Sequence, residues 1–163
     1  LRVRGTGDAR APFLTNEDEK RLLFELSQMS NPNHLRLTKL ALATGFRRSE
    51  LLSLTWRNID LKKKLLYIHR KKCAATDNSS GMRLVPLPEK AQKILEELQG
   101  RDGKVIELSK GAARNGFDKA RKKAGLETLR FHDLRHIAIS RMWRSGMNAL
   151  EISACSGHRD IKS

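Results

Sequence analysis

The sequence predicts an α+β fold, a mostly α-helical domain that carries one small antiparallel sheet. Three observations lead to it. Amphipathic stretches with apolar residues three and four apart recur along both halves of the chain. Two short stretches rich in β-formers, "LLYIHRKKC" and "MRLVPL", flank the turn-forming "AATDNSSG". The length, 163 residues, is that of one ordinary domain, which buries roughly two thirds of its unfolded surface and needs no staples.

Taken in order, residues 1–12 mix Arg, Gly, Asp and Pro without a period and read as a linker remnant, which leaves 13–163 as the domain. "LTNEDEKRLLFELSQM" offers Thr15 or Asn16 as a cap, acids in the first turn, and an apolar face at Leu22, Leu23 and Leu26. "HLRLTKLALAT" predicts a second helix ending near Gly45, and "RRSELLSLTW" a third from about Arg48, with Leu51, Leu54 and less regularly Leu52 on its apolar side. The hairpin follows, its second strand ended by Pro86. Helices return in "PEKAQKILEELQ", where Ile94, Leu95 and Leu98 share a face, and in "KGAARNGFDKARKKAGL", where Gly125 suits a C-cap. "HDLRHIAISRMWRSG" should pack Ile137, Ile139 and Met142 or Trp143, and "NALEISACSG" closes at Gly157. No repeat or low-complexity tract interrupts this pattern.

Charge narrows the function. The chain has 33 Lys+Arg against 18 Asp+Glu, a formal +15, and the cations are scattered instead of gathered in a tail. The partner this implies is a polyanion. A basic membrane-surface protein is the competing class, but the sequence has no apolar run of about 18 residues, and "LRVRGTGDARAPF" lacks the apolar centre of a signal peptide. Cys73 and Cys155 stand far apart without ligand spacing, so neither a disulfide framework nor a zinc site is expected, and a reducing, cytoplasmic setting fits.

Two stretches have the residue types that metal-free chemistry on a phosphodiester needs. Negative charge grows on the nonbridging oxygens as phosphorus becomes five-coordinate, and arginine answers with a planar fork that stays charged. In "TGFRRSEL", Gly45 permits a sharp turn and Arg47 arrives at a helix start, with Glu50 three residues on. Glu50 is either the ion-pair partner of Arg47 or an ordinary first-turn acid. Arg48 either touches backbone or is solvated, and solvation is the expectation. In "HDLRH", His132 and Arg135 lie three apart and project from one helix face with about 5 to 6 Å between Cβ atoms. Asp133 suits a helix cap. His136, rotated about 100° from Arg135, should face elsewhere and support the motif from behind. The bland alternative for both histidines is a structural role.

"TGFRRSELLSLTW", "RLVPL", "HDLRH" and the "SGH" of Ser156 to His158, in this order over most of the chain, resemble the catalytic domain of the tyrosine recombinases, the phage-type integrases. The resemblance implies the DNA breaking-rejoining fold. It also implies Arg47 as the first arginine, Glu50 as its supporting acid, His132 as the first histidine, Arg135 as the second arginine and His158 as the later histidine. The family's hairpin lysine falls on Lys72 or Lys71, of which Lys72 is favoured; alternation sends the two to opposite faces, and either one alternatively serves as a charged hairpin edge.

The family's nucleophilic tyrosine follows the "GH" histidine by about nine residues, whereas this sequence ends at Ser163 and its one tyrosine, Tyr67, matches a packing position in the hairpin. The expectation is therefore a catalytic domain truncated before its nucleophile, inactive by itself. Ser156 replaces a leucine usual in the family, and Ile137 a threonine common there.

What the resemblance implies for the intact protein is site-specific recombination of double-stranded DNA through a 3′-phosphotyrosyl intermediate, without metal or other cofactor. The intact protein would act as a tetramer on DNA, in the cytoplasm with the nucleoid, and this fragment would be a monomer. The alternatives are a type IB topoisomerase-like enzyme and a non-catalytic DNA-binding module derived from a recombinase.

Overall fold

The helical half of the sequence obeys its local signals closely. The computed structural model describes residues 13–69, 82–98 and 102–156. Helix α1, Asn16–Ser27, starts at a reciprocal cap: the Thr15 hydroxyl accepts from the Asp18 N–H at 3.0 Å and the Asp18 carboxylate accepts from the Thr15 N–H at 3.3 Å. Such a cap stabilises by about 1 kcal/mol. Leu22 and Leu26 are fully buried, and Leu23 packs at the core's margin.

Helix α2, Asn33–Thr44, is the central element, packed against α1 and the four helices introduced below as α3, α4, α5 and α6. It ends at Gly45, whose left-handed φ of 67° reverses the chain. Helix α3, Arg48–Ser53, is shorter than its leucine spacing suggests. Leu54 turns extended and its carbonyl accepts from Val105 N–H at 3.0 Å, while Trp56 N–H donates to Gly103 at 3.0 Å. A pairing with a segment about 50 residues away ends the helix, and periodicity carries no sign of it.

The sheet has three antiparallel strands in the order β1 (Ile59–Asp60), β2 (Leu65–His69), β3 (Met82–Pro86). The hairpin and its end at Pro86 match the expectation; β1, only two residues long, has no period to announce it. Register places Leu66 opposite Val85 and Ile68 opposite Arg83. Since Leu66, Ile68 and Val85 are buried, Arg83 belongs to the core-facing row, with Tyr67 and Leu84 on the outer face. The hairpin turn, with Lys71 and Lys72, lies outside the described residues.

Helix α4, Glu89–Leu98, buries Ala91 and Leu95, with Ile94 and Leu98 partly covered. Helix α5, Lys110–Lys123, is capped by the Ser109 hydroxyl and leaves through Gly125, φ 72°. It crosses α2 so closely that a Cβ on Gly116 would overlap the His34 ring. Helix α6, Asp133–Arg144, buries Ile137 and Met142 and exposes Trp143, which settles the choice between the last two. Helix α7, Ala149–Ser156, packs on α6 and β3. No helix among the described residues is long and apolar enough to cross a membrane.

Candidate phosphate-binding site

The turn between α2 and α3 forms one wall of the site. Thr44 secures it twice, its hydroxyl donating to the Leu40 carbonyl at 2.7 Å and accepting from Phe46 N–H at 3.2 Å. Arg47 then stands at the N-cap of α3, with extended backbone and a half-exposed side chain. Both readings of Glu50 are realised at once. Its Oε2 accepts from the Arg47 backbone N–H at 2.8 Å, as a first-turn acid does, and its Oε1 accepts from Arg47 Nη1 at 3.3 Å.

The start of α6 forms the facing wall. Arg135 is 2% exposed and its Nη1 donates to the Gly45 carbonyl at 2.6 Å, so the helix is joined to the α2–α3 turn across the core. Burial, and then the positive charge of Arg47, lower the Arg135 pKa to about 10, with Glu50 opposing. The guanidinium stays charged at neutral pH. His132 is exposed at the N-cap position, and its pKa is lowered, first by the protein crowding its ring and then by His136 and Arg135.

His136 differs from its expected place. It is exposed, and its ring meets that of His132 edge to face with centroids 4.9 Å apart. One helical turn separates the two, so they share a side even though His136 is rotated about 100° from Arg135. Asp133 also differs in detail: it is the first helical residue, and its Oδ2 accepts from the Arg130 N–H at 2.7 Å, securing the turn ahead of the helix.

Arg47, His132 and Arg135 open onto one cavity of about 420 Å³, shared with Arg48, Arg114, Arg121 and Arg130. Phe117 and Phe131, edge to face at 5.1 Å, line it with Phe46. Arg48, expected to be solvated, instead lies half-buried with its guanidinium 5.7 Å from the Phe131 ring centroid. Asp118 is the acid in this lining. It accepts from Arg121 Nε at 2.8 Å and pairs with Arg114 at 3.9 Å, and the bond from Arg121 holds its carboxyl below the usual range. With one carboxylate among so many guanidinium groups, the cavity suits a phosphate, which arginine forks bind two oxygens at a time.

Sequence reasoning missed two groups. The α5 arginines lie on one helix face with Asp118 between them, a pattern visible in "RNGFDKAR", but nothing local says what that face looks at. Arg83 lies in "RLVPL", a strand and one of the stretches that carry the family resemblance, but neither reading announces its partners. Its side chain, 9% exposed, donates from Nη2 to Glu50 Oε1 at 3.2 Å and from Nη1 to the Ala154 and Cys155 carbonyls at 3.2 and 2.9 Å. Among the described residues no cluster of His, Cys, Asp and Glu is suited to hold a metal. Lys71, Lys72 and His158 lie outside the described residues.

The phage integrase family model matches residues 12–163. The shufflon-specific DNA recombinase of Escherichia coli is 34% identical over 153 residues, which are 91% of this chain and 37% of that protein. The catalytic domain of bacteriophage HP1 integrase has the same fold, with a TM-score of 0.72 at 24% identity over 93% of this chain and 83% of that one. So does the Tn1549 transposon integrase, solved in complex with circular intermediate DNA, with a TM-score of 0.66 at 20% identity over 91% of this chain and 59% of that one.

Proposed function

The chain belongs to the phage integrase family, and from that premise we propose that residues 13–163 form the phosphate-handling core of a site-specific recombinase that cuts and rejoins double-stranded DNA through a tyrosine. The observation that carries the reading is the convergence of Arg47, His132 and Arg135, from two distant segments, on one cation-rich cavity.

The proposed step is an in-line displacement. A tyrosine oxygen attacks the phosphorus, the bond to the 5′-oxygen breaks, and a 3′-phosphotyrosyl link and a free 5′-hydroxyl result. A 5′-hydroxyl from another strand reverses the step, so the strand is resealed without a nucleotide cofactor or a metal. Arg47 and Arg135 hold the nonbridging oxygens, on which charge grows. His132, neutral because its surroundings lower its pKa, takes up the tyrosine's proton. His158 hydrogen-bonds the phosphate, Lys72 gives the proton that the 5′-oxygen needs, and Lys71 is its alternate. Glu50 and His136 support Arg47 and His132 respectively.

The attacking tyrosine is the one the family places about nine residues after its "GH" histidine, a position beyond Ser163. The partner is duplex DNA, which this domain alone holds by scattered phosphate contacts with little sequence preference. We further propose that four protomers assemble on DNA, that this chain alone is monomeric, and that the protein works in the cytoplasm.

The test uses a polypeptide continued through that tyrosine and a pool of random-sequence duplexes nicked near the cut, so that the released oligonucleotide diffuses away and covalent product accumulates. Product that resists denaturant and vanishes on Tyr→Phe supports the reading. Duplex binding without any such product leaves a binding module instead.

A further inference from the structure

Arg83 is out of place for a cation. A guanidinium removed from water costs several kcal/mol unless its donors are satisfied, and a strand position facing the core ordinarily carries the Val, Leu or Ile found at its neighbours. Among the described residues the Arg83 donors meet one Glu50 oxygen at the start of α3 and two carbonyls at the end of α7. The guanidinium carbon also sits 5.2 Å from the centroid of the Phe46 ring. A strand that needed only to pack onto α7 would not require a fork.

The geometry points to Arg83 as a positioning residue for strand cleavage, which fixes Arg47 through their common Glu50 carboxylate and fixes the end of α7, the helix that precedes Gly157 and His158 in sequence. The inference rests on the function proposed above. Glu50 Oε1 accepts from Arg83 at 3.2 Å and from Arg47 at 3.3 Å, so the Arg83 contact sets where that oxygen lies and hence where the Arg47 fork can reach. On the other side, donors at the last carbonyls of α7 oppose the negative end of its dipole and hold its final turn. Arg83 itself does not line the cavity and touches no substrate.

Lysine keeps the charge at this position, but its single ammonium cannot reach both the carboxylate and the two carbonyls as the guanidinium fork does. In the polypeptide continued through its tyrosine, R83K is expected to leave duplex affinity within about threefold and to slow covalent product formation at saturating duplex by roughly 10- to 100-fold, the cost of a misplacement of about an ångström. Combining R83K with R47K should slow the reaction beyond R47K alone by clearly less than the factor R83K costs by itself, because the share of the effect that runs through Glu50 is already lost and only the α7 share remains. Rates that multiply, or R83K product at the unsubstituted rate, overturn the role of Arg83. Absence of product from the unsubstituted protein overturns the function proposed for the site instead. Should R83K not fold, E50Q cuts the same link from the α3 side and leaves the α7 contacts in place; product from E50Q at the unsubstituted rate also overturns the inference.

Discussion

Arg135 Nη1 donates a 2.6 Å hydrogen bond to the carbonyl of Gly45, joining residues 90 apart in sequence. The bond exists because Gly45 ends α2 with a φ of 67°, a conformation that aims its carbonyl across the core at α6. The residue that terminates a helix thereby also orients an arginine of the candidate site. A Cβ here would lie 3.5 Å from Ala138 Cβ and 3.8 Å from the Arg135 carbonyl, which is ordinary contact, so backbone conformation and not space demands glycine.

Gly45→Ala should accordingly destabilise the chain by about 1–2 kcal/mol, the cost of holding an L-residue left-handed. Urea denaturation followed by circular dichroism measures it. A midpoint unchanged from that of the native chain would show that the turn relaxes without strain.

Arg135→Ala, made in the polypeptide continued through the tyrosine, should abolish the covalent DNA–protein product while duplex affinity stays within several-fold. Removing one donor from a developing phosphorane costs on the order of 100- to 1000-fold in rate, whereas overall affinity sums many phosphate contacts. Quenched single-turnover cleavage alongside a binding titration separates the two. Product in normal amounts removes Arg135 from the site.

The His132 imidazole should titrate below the ordinary histidine value of 6.5, as its crowded surroundings and the positive charges beside it dictate. His136→Gln removes one of those charges and should raise the midpoint, which ring-proton NMR reads directly. The linkage has a definite sign. With the folded value depressed, the unfolded chain binds the proton more readily between that value and 6.5, so the stabilisation is complete above 6.5 and is lost as pH falls through the folded value. His34, lowered by burial against α5, acts in the same direction.

Arg48 and Arg114 line the same cavity as Arg47 and Arg135. If each neutralises one backbone phosphate, Arg48→Gln and Arg114→Gln should each reduce the slope of log affinity against log salt by about 0.9. Fluorescence anisotropy with a short duplex at several salt concentrations is sufficient. Unchanged slopes would place the DNA backbone on another face of the domain.

The sequence by itself determined whatever depends on neighbours along the chain. The Thr15 cap, the left-handed stop at Gly45 and the hairpin ended by Pro86 are each written in a few adjacent residues. The grouping of His132 with Arg135, and of Arg47 with Glu50, is likewise set by helical spacing within one motif. Tertiary structure decided everything that depends on which faces meet. It ended α3 at a pairing with the 103–105 segment and brought the α5 arginines to the cavity. It also placed Arg83, which strand register turns towards the core, between Glu50 and the end of α7. The physical reason is that periodicity fixes which side of an element a residue occupies, but the partner of that side is chosen by the packing of the whole core.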